Sequence, residues 1–505
     1  MNQRRWGAVL SYVNIVASLL VGLVYTPIML RLLGQSEYGL YSLIGSVVGY
    51  LSILDLGLGN TIVRYTAQNR ASGTTTREAE LNGLFLMVYT IIGFITVMIG
   101  AVLYSNIETL FADTLSADEL GRARIMMLLL IFNFAITFPL SIFGSIMQAY
   151  EKFVYLRIVN ILRVLLNPCI VLPLLLLGYG SVMMVAVATA LNIACLLLNV
   201  WYCFHNLHIQ FKYGIYEKAF LLEIAGYSFF VFLNAIMDKL YYSTGQFVLG
   251  MVSGTIQVAI YAVAMQFIMM NMQFSSAISG VLLPKVTMMV EQGADNHTLT
   301  DMMIRIGRLQ YIIVFGIFSL FVAVGQDFIF LWAGAEYSSA YWIVMLIMLS
   351  QVTPLIQNLG ISILLAKNLN QYRMTIYTIA AFSNLIVSIP MAKVFGGYGV
   401  AVTTAVAIFI STGLLMNRYY QKKIGLDMTR FWKNMIQLSK GSMLLLALSV
   451  LCKQMNPIEY TWVNFTLEAM LYSLLYVGVL YKWGMNGYEK GLLIGSIGKL
   501  RAKLS

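Results

Sequence analysis

Residues 81–104 read LNGLFLMVYTIIGFITVMIGAVLY, a run of 24 residues that contains no charged side chain. Such a run, coiled as an α-helix, is long enough to cross the roughly 30 Å of hydrocarbon in a bilayer. A strand of a membrane barrel would instead alternate apolar and polar residues, and this run is predominantly apolar without such an alternation. It therefore predicts a membrane-spanning helix.

Much of the rest of the chain consists of similar apolar runs. Of its 505 residues, 60% are hydrophobic and 10% are charged, against about 25% charged in a typical soluble domain. The sequence predicts an all-α, polytopic membrane protein with about fourteen transmembrane helices. The predicted spans lie near 8–30, 38–62, 81–104, 125–148, 156–177, 181–204, 224–249, 257–282, 309–331, 341–365, 373–393, 398–418, 441–457 and 461–481.

The distribution of basic residues orients these spans. With both termini in the cytoplasm, 25 of the 32 Lys and Arg residues fall on inward-facing segments and five on outward-facing ones. This asymmetry follows the positive-inside rule. The net charge of +11 then suits an anionic inner leaflet. Nucleic-acid binding is disfavoured because no basic stripe with interleaved aromatics lies outside the spans.

The chain also contains an internal repeat of about 217 residues. Its markers are Tyr155, Asn167 and Pro173, matched by Tyr372, Asn384 and Pro390, and the motifs Gly178-Tyr179-Gly180 and Gly397-Tyr398-Gly399. Earlier in each half we match Leu33-Gly34 with Leu249-Gly250 and Tyr41 with Tyr261.

A unit of six spans that occurs twice enters the membrane from the same side each time. We therefore expect two parallel six-helix bundles, 1–212 and 213–430, followed by two additional transmembrane helices and a basic cytoplasmic tail at 431–505. Parallel repeats of this kind are typical of transporters that use alternating access, with the substrate route between the halves.

The N-terminal segment resembles a known family. The residues that carry the resemblance are Arg31-Leu-Leu-Gly34, Glu37-Tyr-Gly-Leu-Tyr41, Asp55-Leu-Gly-Leu-Gly-Asn60 and Arg64-Tyr65. They are similar to the start of Wzx-type polysaccharide-biosynthesis flippases, in the multidrug/oligosaccharidyl-lipid/polysaccharide exporter superfamily with its MATE-like fold.

The resemblance implies a multi-pass protein of the bacterial inner membrane that flips a polyprenyl-diphosphate-linked oligosaccharide to the outer leaflet. Such a glycan would serve lipopolysaccharide or capsule biosynthesis. The implied partners are this lipid-linked glycan and membrane lipids, and they can include a polysaccharide polymerase and export machinery.

Asp55 is the first of the intramembrane charges that we treat as candidates for function. Gly57 and Gly59 would let a neighbouring helix approach closely, and we expect Arg64 or a polar residue of the first span to satisfy the carboxylate. A packing anchor, a proton- or sodium-coupling group and placement at the lipid interface all remain open.

Asp238 and Lys239 lie near the middle of the seventh predicted span. Adjacent helical residues diverge by about 100°, so these two face different neighbours. Lys239 could attract the diphosphate of a lipid carrier in a cavity, with Asp238 in substrate binding or ion coupling. Structural ion pairs with other helices are the alternative.

Three arginines complete the candidate substrate site. Arg157 and Arg373 occupy nearly equivalent repeat positions at the cytoplasmic side, where they either snorkel to lipid headgroups or gather the anionic diphosphate. Arg163 lies deeper, and we expect it to face the cavity.

The sequence shows no catalytic constellation, no His/Cys metal cluster and no Gly-rich loop ending in Gly-Lys-Ser/Thr. We therefore expect a transporter rather than an enzyme, without a metal or other cofactor, driven by substrate flux or by a proton or sodium gradient.

Two alternatives remain open at this point. A cation-coupled drug or metabolite exporter of the same superfamily would favour an acidic cavity. A membrane glycan polymerase or glycosyltransferase would need a large loop with catalytic carboxylates, and we interpret the acidic segment 105–124 as a solvated loop instead.

Overall fold

The structure is a computed structural model that describes residues 3–72, 75–214, 218–367, 369–455 and 460–492. Within these ranges the chain is almost entirely helical and has no β-strand, which confirms the all-α class. The chain forms two compact units, Met1–Ala262 (unit 1) and Val263–Ser505 (unit 2). The boundaries predicted from the repeat, at 212/213 and 430/431, are a different division and stay a prediction.

Unit 1 contains ten helices within the described residues and the first turns of an eleventh. They are α1 Gln3–Leu33, α2 Gln35–Gly49, α3 Leu58–Ser72, α4 Thr75–Ser105, α5 Ile107–Phe111, α6 Ala117–Ala149, α7 Phe153–Leu176, α8 Ser181–Asn206, α9 Lys218–Tyr242, α10 Thr244–Val252 and α11 Gly254–Glu291.

Unit 2 contains the rest of α11 and the remaining helices. They are α12 Asn296–Trp332, α13 Ala340–Ile356, α14 Asn358–Ala366, α15 Gln371–Ile408, α16 Asn417–Tyr419, α17 Met428–Met455 and α18 Trp462–Val479. Three π-helical segments, Phe409–Met416, Tyr420–Ile424 and Leu480–Gly484, extend α15, α16 and α18.

Eleven helical stretches of the described chain are long and apolar enough to cross a membrane, or twelve if α13 and α14, which meet at a 42° bend, form one span. The stretch Gln371–Ile424 has 54 residues, about 80 Å of helix and far more than one crossing requires. Gly396, with φ of 56°, interrupts it between two predicted spans. The chain is a multi-pass membrane protein, and the count of fourteen spans stays a prediction.

The apolar side chains divide between packing and exposure as a membrane protein requires. A core in unit 1 gathers Phe85, Tyr89, Ile142 and Phe143 from α4 and α6. Many other large apolar side chains are exposed, such as Phe94 at 73% and Leu474 at 73%. A soluble monomer would not expose so many, whereas the acyl chains of a bilayer solvate them.

The second predicted span is interrupted. The stretch Gln35–Arg70 remains one candidate span, but α2 ends at Gly49, residues Tyr50–Asp55 form a 3₁₀ turn, and α3 begins at Leu58. Leu56 and Gly57 both adopt positive φ, 52° and 68°. Gly57 therefore serves first to reverse the backbone. We had expected a continuous helix here, in which Gly57 would only allow a neighbouring helix to approach.

The internal repeat recurs in the contacts of each unit. The rings of Tyr155 and Tyr202 lie 4.2 Å apart in unit 1, and those of Tyr372 and Tyr419, each 217 residues later, lie 4.1 Å apart in unit 2. Backbone reversals at Gly178 and Gly396 accompany the two Gly-Tyr-Gly motifs. These positions of the repeat are thus matched in structure as well as in sequence.

One repeat match is wrong. Gly34 directly precedes α2 with φ of 76°, and the glycine with a similar φ in the second copy is Gly254, the first residue of α11, with φ of 80°. Gly250, which we matched with Gly34, lies inside α10. Gly34 and Gly254 each stand seven residues before the matched tyrosines, Tyr41 and Tyr261.

Two carboxylates join the helix starts at one end of unit 1. Glu37 of α2 accepts hydrogen bonds from the backbone N–H (3.0 Å) and hydroxyl (2.5 Å) of Ser181 on α8, and pairs with Arg122 of α6 at 2.5 Å. Ser181 directly follows the Gly-Tyr-Gly motif. Glu37, which belongs to the segment that carries the family resemblance, therefore holds α8 and α6 against α2.

Glu119, expected in a solvated loop, is instead buried. It accepts from the hydroxyls of Ser36 at 2.5 Å and Thr255 at 3.1 Å. Its other oxygen accepts from Ser116, which closes a capping box at the start of α6. A buried carboxylate needs such donors, and those of Ser36 and Thr255 come from parts of the chain distant in sequence.

This junction makes Gly39 sensitive to a single methyl group. A β-carbon there would overlap the carbonyl oxygen of Thr255, whereas one at Gly45 of the same helix would meet nothing within 4 Å. We expect Gly39→Ala to lower the free energy of unfolding by about 1–3 kcal/mol, the usual cost of overpacking. Thermal unfolding of the purified protein in detergent measures this.

Gly45→Ala is the matched control. It removes a flexible residue from a helix without a clash, so we expect a gain of about 0.5–1 kcal/mol. Equal stabilities of the two variants would contradict the close approach of α2 and α11.

Candidate functional site

Arg163 lies near the middle of α7, a helix of 24 residues that is one of the candidate spans. Its side chain is exposed, as are those of Leu162 and Leu166 on the same helix. A guanidinium at this depth is costly in contact with acyl chains, and such groups usually line a water-filled cavity or the interior of a bundle.

A chain of amides supports Arg163. Its Nη1 donates to Oδ1 of Asn192 on α8 at 2.7 Å. Nδ2 of Asn192 then donates to Oδ1 of Asn133 and to Oγ1 of Thr137, both on α6 and both at 2.8 Å. Because a guanidinium can only donate, the arginine fixes which way the Asn192 amide points, and α6, α7 and α8 share one polar cluster.

This cluster leaves most of the guanidinium available. An arginine carries five N–H donors in a planar fork that matches the oxygens of phosphate. Among the described residues, Asn192 takes one of them. The side chain is therefore held in place by an amide and can still offer a pair of donors to an anionic group.

Arg157 and Arg373 differ in their surroundings. Arg157 is half-buried in the second turn of α7, on the same helix as Arg163. Arg373, in the first turn of α15 in unit 2, lies over the ring of Tyr377 at 4.7 Å and donates to Asn370 at 3.4 Å. Its Nε is buried and has no acceptor among the described residues.

Lys239 is half-buried on α9. Its Nζ lies 3.5 Å from the position that a β-carbon on Gly49 would occupy. Gly49 ends α2, directly before the 3₁₀ turn, so Lys239 points at the interrupted second span. The hydroxyls of Tyr50 and Thr244 hydrogen-bond at 2.7 Å in the same region and hold the α9–α10 segment on this turn.

Asp55 ends that 3₁₀ turn, and its partner differs from the one expected. Oδ1 of Asp55 accepts from the hydroxyl of Tyr89 on α4 at 2.9 Å. We expected Arg64 or a polar residue of the first span, and this was wrong. The role expected of Gly59 is confirmed, since a β-carbon there would lie 3.2 Å from Oγ of Ser145 and 3.8 Å from the Tyr89 hydroxyl.

The predicted site residues thus occupy three places. Lys239 and Asp55 lie along the interrupted second span, Arg163 and Arg157 lie on α7, and Arg373 lies in unit 2. The side chain of Asp238 falls outside the described part of the chain. The sequence analysis named no partner for Arg163 and missed Tyr89 as the partner of Asp55, because no local pattern pairs residues so far apart.

No group of three or more His, Cys, Asp and Glu side chains suited to a metal ion occurs within the described residues.

Comparison with known proteins places the chain among polysaccharide-synthesis proteins. Residues 6–290 match the family model described as "Polysaccharide biosynthesis protein". A Shigella flexneri protein named "Putative O-antigen transporter" is 24% identical over 271 residues, which make up 51% of this chain and 60% of that protein. The match therefore spans less than two thirds of the relative's length.

Solved structures with the same fold are transporters. The lipid II flippase MurJ, in an inward closed conformation, superposes with a TM-score of 0.71 at 15% identity over 94% of this chain and 98% of that one. An inward-facing multidrug resistance MATE family transporter of the MOP superfamily gives 0.59 at 12% identity over 79% and 96%. These likenesses show the fold. The family model matches more than half of this chain's length, and the chain therefore belongs to the polysaccharide biosynthesis protein family.

Proposed function

We propose that this protein is a flippase that moves a polyprenyl-diphosphate-linked oligosaccharide, a repeat unit of a cell-surface polysaccharide, across the membrane by alternating access. Family membership and the name of the Shigella relative support the substrate class. The fold shared with a lipid II flippase supports the type of transport. In this proposal the protein makes and breaks no covalent bond.

The observation that carries the proposal is the Arg163 cluster. The headgroup of such a substrate combines a diphosphate with many sugar hydroxyls. Transferring one hydroxyl into hydrocarbon without a partner costs several kcal/mol, and a bare charge costs far more. An arginine halfway along a membrane helix, steadied by Asn192 and with donors to spare, provides the counter-charge that the diphosphate needs.

The remaining parts of the proposal follow from charge placement. We place the protein in the inner membrane with both termini in the cytoplasm. Arg157 and Arg373 bind the diphosphate on the cytoplasmic side, and Lys239 and Asp238 bind it deeper in the membrane. Transport requires no bound cofactor and draws on substrate flux or on a proton or sodium gradient. A polysaccharide polymerase or export machinery would receive the product.

The test is flipping by the purified protein in vesicles. A polyprenyl-diphosphate-linked glycan is placed in both leaflets, and a soluble glycosidase reports the fraction that reaches the outside. The proposal expects nearly complete cleavage with the protein present and about half without it. A protein that leaves the glycan protected, yet carries a cationic dye along an imposed pH gradient, would support the exporter alternative.

Lys239 provides a first prediction within this assay. Because its ammonium lies beside Gly49 at the interrupted span, Lys239→Ala should slow flipping about tenfold or more, the loss expected when one hydrogen bond to a charged group disappears. Lys218→Ala, at the exposed start of the same helix, is the control and should flip normally. Normal flipping by Lys239→Ala would remove this residue from the site.

Asp55 distinguishes an anchor from a coupling group. An asparagine can still accept the bond from Tyr89, so Asp55→Asn should retain partial transport with an unchanged pH response if the group only holds α4. Tyr89→Phe, which removes the donor, should then be the more damaging variant. A pH response that disappears in Asp55→Asn would instead assign ion coupling to the carboxylate.

A further inference from the structure

Unit 2 contains a cavity with a mixed lining of aromatic and polar side chains. It measures about 370 Å³ and lies among the ends of α12 and α17, the start of α13 and Tyr460. This is within the range of about 300–1,000 Å³ typical of ligand pockets. The charge asymmetry of the sequence predicts that this end of unit 2 faces outward.

Aromatic rings form one side of this cavity, and each has a firm support. Tyr341 is buried and donates its hydroxyl to the carbonyl of Val322 at 2.9 Å. Trp342 lies against it edge to face, with centroids 5.2 Å apart, and is 55% exposed. The ring of Tyr460 lies 4.9 Å from that of Phe330. Trp342 and Tyr460 thus line the cavity with rings that are partly exposed, and each packs against a neighbouring ring.

Polar groups form the rest of the lining. The carboxamide-bearing side chains of Gln326 and Gln454 line the cavity together with Lys453. Nζ of Lys453 donates to Asp327 at 2.7 Å and to the carbonyl of Ala323 at 3.1 Å. The ammonium is already neutralised by this carboxylate, so the cavity does not select for an anion.

Exposed rings, carboxamides and a neutralised charge together match the chemistry of a sugar. A pyranose presents a face of C–H groups that packs on an aromatic ring and a rim of hydroxyls that exchange hydrogen bonds with amides. An interfacial anchor would explain an exposed tryptophan by itself, but not two glutamines on the same cavity. The cavity of unit 1 that is lined by Leu84, Phe85 and Phe229 is, by contrast, predominantly apolar.

We propose that this cavity, the outer sugar subsite, binds a sugar of the glycan headgroup, with Trp342 as the stacking platform and Gln326 and Gln454 as hydroxyl partners. The inference rests on the proposed function, because it takes the sugar to belong to the transported substrate. A weak site of this kind would hold the headgroup on the outer side and disfavour its return.

The test is equilibrium binding of a sugar without a lipid to the full-length protein in detergent. The probe is the tritium-labelled repeat oligosaccharide released by partial acid hydrolysis from the host cell's own surface polysaccharide. We expect saturable binding to the wild type, weakened about fivefold or more by Gln454→Ala, as the loss of one hydrogen bond implies. Trp342→Ala should weaken binding at least as much, and Trp342→Phe less.

Trp201→Ala is the matched control. Trp201 is exposed to a similar degree, 57%, but stacks on His205 in unit 1, and its loss should leave binding unchanged. Because Gln454 is itself exposed, its variant keeps the packing of α17 and tests the subsite even if Trp342→Ala fails to fold.

Vesicle flipping, measured on the same preparations, separates the two proposals. A wild type that flips the lipid-linked glycan but does not bind the probe, or binds it equally well in Gln454→Ala, overturns the subsite and leaves the flippase intact. A wild type that flips no glycan but binds the probe through Trp342 and Gln454 upholds a sugar site and overturns the flippase.

Discussion

Arg163→Ala is expected to reduce flipping of the lipid-linked glycan about 10- to 100-fold while the protein remains folded in the membrane. The guanidinium has one described partner, Asn192, and its other donors are assigned to the diphosphate. Losing a hydrogen bond to a charged group costs about 1.5–3 kcal/mol, which corresponds to this range of rates. The vesicle assay with a glycosidase outside measures the change.

Two further variants separate the charge from its geometry. Arg163→Lys keeps the charge but lacks the planar fork, so flipping should fall between that of the wild type and that of Arg163→Ala. Asn192→Leu keeps the arginine but removes its support, and we expect an intermediate loss as well. If Arg163→Ala flips at the wild-type rate, the cluster is only a packing feature.

Glu489→Ala is expected to lower the free energy of unfolding by about 3–5 kcal/mol, because it leaves Arg308 buried without its counter-ion. The two side chains are 7% and 2% exposed. They form two parallel bonds, Nε to Oε1 at 2.6 Å and Nη2 to Oε2 at 2.9 Å. Nη2 also donates to the carbonyl of Gly484 at 2.8 Å, so α12 holds the segment after α18 in place.

The double variant Arg308→Met/Glu489→Leu should recover most of this loss, since apolar residues of similar volume often replace a buried ion pair at little cost. Arg305→Met is the control. Arg305 is exposed and lies over the ring of Tyr488 at 3.7 Å, a contact that contributes about 0.5–1 kcal/mol. Unfolding in mixed detergent micelles compares the four proteins, and equal stabilities would contradict a buried pair.

The architecture was predictable because each membrane helix appears in the sequence as a local run of apolar residues. Runs such as 81–104 need no knowledge of the rest of the chain, and the equal spacing of Tyr155 and Tyr372 from the asparagine and proline that follow each is visible in sequence. The ring pairs that these tyrosines form occupy matching positions of the repeat. The break at Leu56 and Gly57 was not predictable, since a leucine rarely adopts positive φ.

The candidate site was predictable only as a set of unusual residues. A charged residue inside a predicted span is easy to recognise in sequence, and Arg163, Lys239 and Asp55 were identified in this way. The partner of such a charge lies on another helix, however, and the pattern of apolar residues does not show which helices are neighbours. The bond from Tyr89 to Asp55 and the bond from Arg163 to Asn192 are of this kind. For the same reason Glu119, acidic and near a loop, was taken as solvated although hydroxyls of Ser36 and Thr255 cover it.

The most direct test of the account compares two lipid carriers that differ by one phosphate. Vesicles with wild-type protein or with Arg163→Ala receive the same glycan linked to the polyprenol through a diphosphate or a monophosphate. If Arg163 meets the diphosphate, the wild type should flip the diphosphate-linked glycan faster, and Arg163→Ala should lose most of that preference. An equal preference in the two proteins would contradict the central claim that this arginine carries the anionic headgroup across the membrane.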